Sequence, residues 1–443
     1  MSFNSIKEEN LPENWNVINL EDSGITIEDG DRGSNYPKKG ELLKEGYSIF
    51  LSTNNLINDK IDLTDAEFIT KEKHEILRKG KLQENDIVLT TRGNGVGKVG
   101  LFSKDLPYKI GRINSGLVII RNNNLLFDTK YLYYLLKSPI MKEQYASLKS
   151  GSAQPQLPIR DIKKLRLIVP PIEVQRKIVN IVRPIEEKMD LNKKLNSTLK
   201  EFAQAIYKHW FIDFEYPNEN GRPYKSDGGK FVEGKLGFIP QDWNVSSIYD
   251  VADVIYGAPY SSKLFNETRD GLPLIRIRDL KTANPNFYTL EKHKKGTVVN
   301  PGDLLVGMDA EFKPTIWNGV QGYMNQRVCM FRPNKEYVHK YYIYELIKPY
   351  MEYFEHAKSG TTVIHLGKSD IDSIKIVLPH KNILAKYFYL LEPIYTQLIK
   401  NYEEKQILEK IRNTLVPKIL SGEVCITVAK EEVEVGECLQ KSN

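Results

Sequence analysis

The feature that most constrains this chain is that it is written twice. Displacing the numbering by 209 lays Pro184 on Pro393, Ile185 on Ile394, Met189 on Leu398, Asn192 on Asn401 and Leu199 on Leu408. The same displacement holds upstream: Gly151 falls on Gly360, Leu157 on Leu366, Asp161 on Asp370 and Pro170 on Pro379. Nearer the start of each copy the register drifts, as loops of different length require. There Asn114 pairs with Asn325, Asp86 with Asp303, Tyr36 with Tyr260, and Trp15 in LPENWNV with Trp243 in IPQDWNV. A repeat of this length means one unit built twice, each copy a globular domain followed by a helix. Two such copies most naturally fold about a pseudo-two-fold axis with their helices antiparallel.

The first helix carries Ile178, Val182, Ile185, Met189, Leu195, Leu199, Phe202, Ile206 and Trp210 at helical spacing. Seven-residue steps link Ile178, Ile185, Leu199 and Ile206, with Asn192 in the one gap. So narrow an apolar seam predicts packing on a single partner helix, which the repeat supplies around 380–420. At about 1.5 Å per residue, 173–210 would reach about 55 Å, the length of a spacer. Pro184 and Pro393 each remove a backbone hydrogen bond and predict a bend or a break at the same place in both copies. Asn192 and Asn401 sit at equivalent seam positions; either they are solvated at its edge or they set the antiparallel register.

Before each helix, short β-like runs (YSIFLS, DIVLTT, GLVIIR; then LPLIRIRDL, DLLVGMD, RVCMFRP) alternate with Gly- and Asn-rich turns. One amphipathic helix and a closing strand, KKLRLIVP or SIKIVLP, complete each copy. The expected class is α+β, with non-local strands rather than a regular β-α-β series. The expected layout is a first domain over 11–170, a first spacer helix over 171–215, a connector over 216–230, a second domain over 231–379, a second helix over 380–421, and a tail over 422–443.

The string LNSTLKEFAQAIYKHWFIDFEYPNENGRPYKSDGG, together with LVPKILSGEV near the end, resembles the specificity subunit of Type I restriction–modification systems. The resemblance covers about 10–425 and implies two target-recognition domains separated by two long antiparallel helices. It implies a non-catalytic chain that reads a bipartite, asymmetric double-stranded DNA site, one half per domain. It further implies two methyltransferase subunits, which supply S-adenosylmethionine, and restriction subunits that use ATP and Mg2+; no cofactor is expected on this chain. The rod terminus, with His209, Trp210, Phe211 and Phe214, is the expected docking surface for the methyltransferase subunits, since exposed aromatic groups there need cover. For His209 alone, packing is the plainer account.

Other chemistry is poorly represented. RGNGVGKVG lacks the glycine and the Ser or Thr of a phosphate loop and leads into a strand. NPNF at 284–287 lacks the second proline of an adenine-methyltransferase motif, and no H-E-x-x-H is present. The three cysteines include no C-x-x-C pair, so neither a disulfide framework nor a zinc site is indicated. No apolar run approaches the roughly 20 residues a bilayer span needs, and MSFNSIKEEN is no signal peptide, so the expected location is cytoplasmic. A net charge of +6 is mild for a DNA reader, which suits one whose partners supply part of the phosphate grip.

Reading base edges requires Arg or Lys for guanine, Asn or Gln for adenine, and acidic groups for the cytosine amino group, carried on loops over a rigid scaffold. In the first copy the candidates are Arg32, Ser34, Tyr36, Lys38, Asn54, Arg92, Asn94, Lys98, Ser152, Gln154 and Gln156. In the second they are Tyr260, Ser261, Lys263, Arg276, Arg278, Asp309, Lys313, Thr361, Thr362 and His365. For any one of them an exposed polar turn is the plainer account. Because loop content differs between copies, the two half-sites should differ. The competing classes are a bivalent coiled-coil adaptor that ignores DNA and a stand-alone DNA-modifying enzyme.

Overall fold

The computed structural model describes residues 11–151, 154–358, 364–426 and, as backbone, 435–437. The chain divides into two units. Unit 1 is Met1–Glu187 with Leu408–Asn443, and unit 2 is Lys188–Ile407. The first long helix, Ile172–Tyr207, and the second, Lys381–Leu420, each contribute one part to either unit.

In unit 1 a four-stranded antiparallel sheet runs Thr26–Asp29, Leu117–Arg121, Asp86–Thr90, Val99–Phe102. A second sheet places Ser48–Leu51 between antiparallel Phe68–Ile69 and parallel Gly111–Ile113. The opening strand, Asn16–Asn19, pairs with the closing one, Arg166–Val169. Unit 2 repeats the plan. Its main sheet runs Ala252–Tyr256, Val328–Pro333, Leu304–Gly307, Thr315–Ile316. Leu272–Ile275 lies between antiparallel Tyr288–Thr289 and parallel Gly322–Met324, and Asn244–Ser247 pairs with Lys375–Leu378. Even the turn before the central strand recurs: the Asp86 carboxylate accepts the Gln83 N–H at 2.7 Å, and that of Asp303 accepts the Asn300 N–H at 2.8 Å.

The core of unit 1 gathers Leu20, Tyr131, Leu132 and Leu165 with Ile178, Val179 and Val182 of the first long helix. Val416, Ile419 and Leu420 of the second helix join it, and so does Ile426 beyond that helix. The tail therefore begins later than the sequence suggests. Gln175, fully buried where the first helix starts, donates to the carbonyls of Leu126 and Pro170 and accepts the Asp128 N–H, all at 2.9 Å. Buried Asp86 is held by Arg121 at 2.7 and 2.8 Å, a structural ion pair. Neither long helix is split at Pro184 or Pro393.

In unit 2 the two helices pack antiparallel, since Asn192 meets Glu404, Asn196 meets Asn401, and Trp210 meets Tyr387. The seam follows the apolar spacing in part: Ile178, Val182 and Met189 are buried, as is Asn192 in the gap of the seven-residue steps, but two of the predicted positions are not. Leu195 (38% exposed) and Phe202 (54%) face outward, while Asn192 (1%) and Asn196 (5%) are buried beside Ala203 and Tyr207. The reason lies in the second helix, which presents amide and carboxylate partners at that level. Asn401 Nδ2 donates to Asn196 Oδ1 at 2.9 Å, Asn192 Nδ2 donates to Glu404 Oε2 at 2.8 Å, and Gln397 Nε2 donates to Asn401 Oδ1 at 2.7 Å. The Asn192 hydrogen bond, with help from Lys188, holds the Glu404 carboxyl below its ordinary value. Of the two readings left open for Asn192 and Asn401, burial and pairing favour register-setting. Asn401→Ala should cost about 1–3 kcal/mol because it leaves Asn196 Oδ1 buried in the seam without its donor. Changing both Asn196 and Asn401 to Leu should recover much of that stability while loosening register. Thermal unfolding of the two variants checks this; an unaffected single variant would count against the ladder.

His339, 2% exposed, caps the helix Lys340–Ala357: its Nδ1 accepts the Tyr341 N–H at 3.0 Å and its Nε2 lies 3.2 Å from Glu392. An accepting Nδ1 requires the neutral ring. Burial pushes the ring pKa below its ordinary value, against a weaker upward pull from Glu392. With the folded value the lower one, the unfolded chain takes up the proton first as pH falls through about 6.5, so acid weakens the fold. Unit 2 should lose on the order of 1–2 kcal/mol between pH 7.5 and pH 5. His339→Asn keeps a capping acceptor and should flatten that slope in pH-dependent denaturant melts.

Candidate nucleic-acid interface

In each unit the central strand of the main sheet ends in a loop that is crossed by the segment leading to the last short helix. In unit 1 this crossing pairs Arg92 with Gln156. Around it the Gly93 N–H donates to the Pro155 carbonyl at 2.9 Å, and the Leu157 N–H to the Thr91 carbonyl at 2.9 Å. The Thr91 N–H reaches the Gly116 carbonyl at 2.9 Å. In unit 2 the crossing pairs Asp309 with His365. There the Ala310 N–H donates to the Ile364 carbonyl at 3.2 Å, the Leu366 N–H to Met308 at 2.8 Å, and the Met308 N–H to Arg327 at 2.9 Å. Gly93 and Ala310 turn the chain the same way, with φ of 77° and 64°. Glycine tolerates that conformation freely, whereas alanine holds it against strain of about 1 kcal/mol or more.

The side chains on this shared backbone differ. His365 Nδ1 lies 2.6 Å from Asp309 Oδ1, and Arg327 Nε lies 3.3 Å from Asp309 Oδ2, so one carboxylate mounts both. Arg327 is absent from the sequence-derived candidates; it lies in the turn just before the strand Val328–Pro333, and only the sheet brings it beside Asp309. In unit 1, Arg92 is half-buried while Asn94, Gln154 and Gln156 are exposed. Lys98 is exposed beside a cavity of about 240 Å³ also lined by Lys142 and Lys149.

The remaining candidates scatter. Arg32, Ser34, Lys38 and Asn54 are exposed, with Arg32 paired to Asp29 at 3.1 Å, and Tyr36 is half-buried edge-on to Phe50. Ser261, Lys263, Arg278 and Lys313 are exposed. Tyr260 is 6% exposed and stacks on Tyr323, and burial pushes its phenol up to about 12. Arg276 is clamped to Asp279 at 3.1 Å over the Phe287 ring. Both therefore belong to the scaffold, although the sequence offers them as contacts. Ser152, Thr361 and Thr362 lie outside the described residues.

The expected docking residues separate as well. His209 is exposed, and Trp210 and Phe214 are half-buried. Phe211 is 7% exposed and ringed by Tyr207, Trp243, Tyr342 and Tyr387, so it holds unit 2 together. No group of His, Cys, Asp and Glu able to hold a metal occurs among the described residues, and no described helix is long and apolar enough to cross a membrane.

The family described as "Type I restriction modification DNA specificity domain" matches residues 12–201 and again 240–412. The chain is 24% identical over 437 residues to the Type I restriction enzyme MjaIX specificity subunit of Methanocaldococcus jannaschii, covering 94% of each chain. It is 22% identical to the Type I restriction enzyme HindI specificity subunit of Haemophilus influenzae, over 89% of this chain and 98% of that one. Its fold is similar to the crystal structure of the Type I restriction–modification S subunit from M. genitalium. That likeness has a TM-score of 0.59 at 14% identity and covers 93% and 96% of the two chains.

Proposed function

The chain belongs to the family of Type I restriction–modification DNA specificity subunits, and from that footing we propose that each unit reads one half of a bipartite, asymmetric duplex site. It is the sequence-reading subunit, not a catalytic one, so the adaptor and the stand-alone enzyme are set aside. The observation that carries the half-site reading is the duplicated crossing: one backbone, built twice, bears Arg92 and Gln156 in one unit and Asp309 and His365 in the other. Identical scaffolds with unlike exposed side chains suit two readers of unlike sequence.

The domains over 11–170 and 231–379 would be the readers, and the helices over 171–215 and 380–421 would fix the unread spacer. Spacing matters because duplex DNA turns once in about 10 base pairs, so a change of a few rotates one half-site away from the protein. Two methyltransferase subunits bringing S-adenosylmethionine, and restriction subunits using ATP and Mg2+, would do the chemistry in the cytoplasm. His209, Trp210, Phe214 and the outward Leu195 and Phe202 give the methyltransferase subunits an apolar face to cover. Exchanging Phe231–Lys375 for the matching part of another family member, then sequencing the methylated sites, should change one half-site and leave the other half and the spacer intact. A change in both halves would contradict the assignment.

A further inference from the structure

The two crossings can be compared position by position, because the strand registers align them. Val88, two residues beyond Asp86, pairs with Gly100; Leu305, two beyond Asp303, pairs with Thr315. Two residues before those partners stand Lys98 and Lys313, the same residue in both units and exposed in both. The hydrogen bonds of the crossing likewise equate Arg92 with Asp309, Gln156 with His365, and Gly116 with Arg327. A contact to phosphate does the same work whatever the base sequence, whereas a contact to a base edge must differ where the sequences differ.

We propose that the crossing is the base-reading edge of each unit, with Arg92 and Gln156 reading in unit 1, Arg327 reading in unit 2 on an Asp309–His365 mount, and Lys98 and Lys313 holding phosphate in both. This rests on the half-site reading above and assigns its residues. One oxygen of Asp309 faces His365 Nδ1 and the other faces Arg327 Nε, so this carboxylate can orient both groups. The ion pair at Nε draws the guanidinium beside Asp309 and leaves both terminal nitrogens as a fork, the geometry that takes guanine O6 and N7. Unit 1 does not use the same device: Gly116 stands where unit 2 has Arg327, and a Cβ there would crowd Thr53 Cγ2 at 2.8 Å. The reading groups there are Arg92 for guanine and Gln156 for adenine.

The test uses the full chain assembled with its methyltransferase subunits, selecting from a duplex pool randomised over both half-sites at several salt concentrations. Arg327→Ala should lower discrimination at one guanine of the unit 2 half-site by about tenfold or more and leave the other half-site unchanged; Arg92→Ala should do the reverse. Arg327→Lys, which keeps the charge without the fork, should retain affinity and still lose that discrimination. Lys98→Ala and Lys313→Ala should keep both half-sites, weaken binding across all sequences, and lower the salt slope by about one each. Arginine variants that weaken binding with an unchanged motif, full rescue by Arg327→Lys, or lysine variants that alter the motif would each overturn the assignment. A wild-type assembly that enriches no sequence would remove the underlying half-site reading and the assignment with it.

Discussion

Ending the chain at Ile407 should leave unit 2 folded and unit 1 open. All of Lys188–Ile407 survives that truncation, including the Asn196–Asn401 pair and the aromatic cluster around Phe211. Unit 1 loses Val416, Ile419, Leu420 and Ile426, all buried in its core. It also loses the turn at Gly422 that packs on Pro12 and Trp15. At about 1.5–3 kcal/mol for each buried side chain the loss is about 6–12 kcal/mol, comparable with the whole stability of an ordinary domain. Amide hydrogen exchange should show the ladder of Asn16–Asn19 with Arg166–Val169 unprotected, and that of Asn244–Ser247 with Lys375–Leu378 still slow to exchange. Protection retained in the first ladder would mean that the end of the second helix is not part of that core.

Phe211→Ala should be the most damaging single substitution at the end of the first long helix. Ring centroids of Tyr342 and Tyr387 lie 4.9 and 4.8 Å away in edge-on contact, and Tyr207 and Trp243 close the ring at 5.2 and 6.0 Å. Removing a buried phenyl group from such a cluster costs about 3–5 kcal/mol, through lost transfer energy and the cavity left behind. Unit 2 should melt earlier and unit 1 at its usual temperature. If Phe211 served instead as a docking group, the free chain would keep its stability and only assembly would suffer; that pattern would sink the core assignment. His209→Ala, at an exposed position, should leave stability within about 0.5 kcal/mol.

The duplication was legible in the sequence because a turn such as Asp86 or Asp303, or a Trp opening a strand, needs its residue at its place and keeps it in both copies. The helices were legible for the same reason that most are: their periodicity is local. Which face they bury was legible in part, through Ile178, Val182, Met189 and Asn192. Apolar spacing favours Leu195 and Phe202, yet the partner helix offers Asn401 and Glu404 at that level, and tertiary pairing outweighs the one-dimensional pattern. Aromatic residues at a helix end look alike whether they close a core or await a partner, which is why Phe211 and His209 fell into one group. At the interface the sequence brought forward Arg92, Gln156, Asp309 and His365 but gave no reason to pair them across the chain. Arg327 went unseen, since nothing local marks the first residue of RVCMFRP as the neighbour of a loop 18 residues earlier. Tyr260 and Arg276 carry the right chemistry for DNA and are held by the scaffold instead.

The strained turn at Ala310 bears on how such a protein can diversify. Its backbone path, shared with Gly93, is imposed by hydrogen bonds to neighbouring segments rather than by the side chains it displays. Gln156, Arg327 and His365 are exposed and Arg92 is half-buried, so replacing them falls among changes that cost folding little. If these are the reading groups, as proposed above, lineages could drift from one target to another through viable intermediates, each half at its own pace, with selection acting on the word recognised rather than on the survival of the polypeptide.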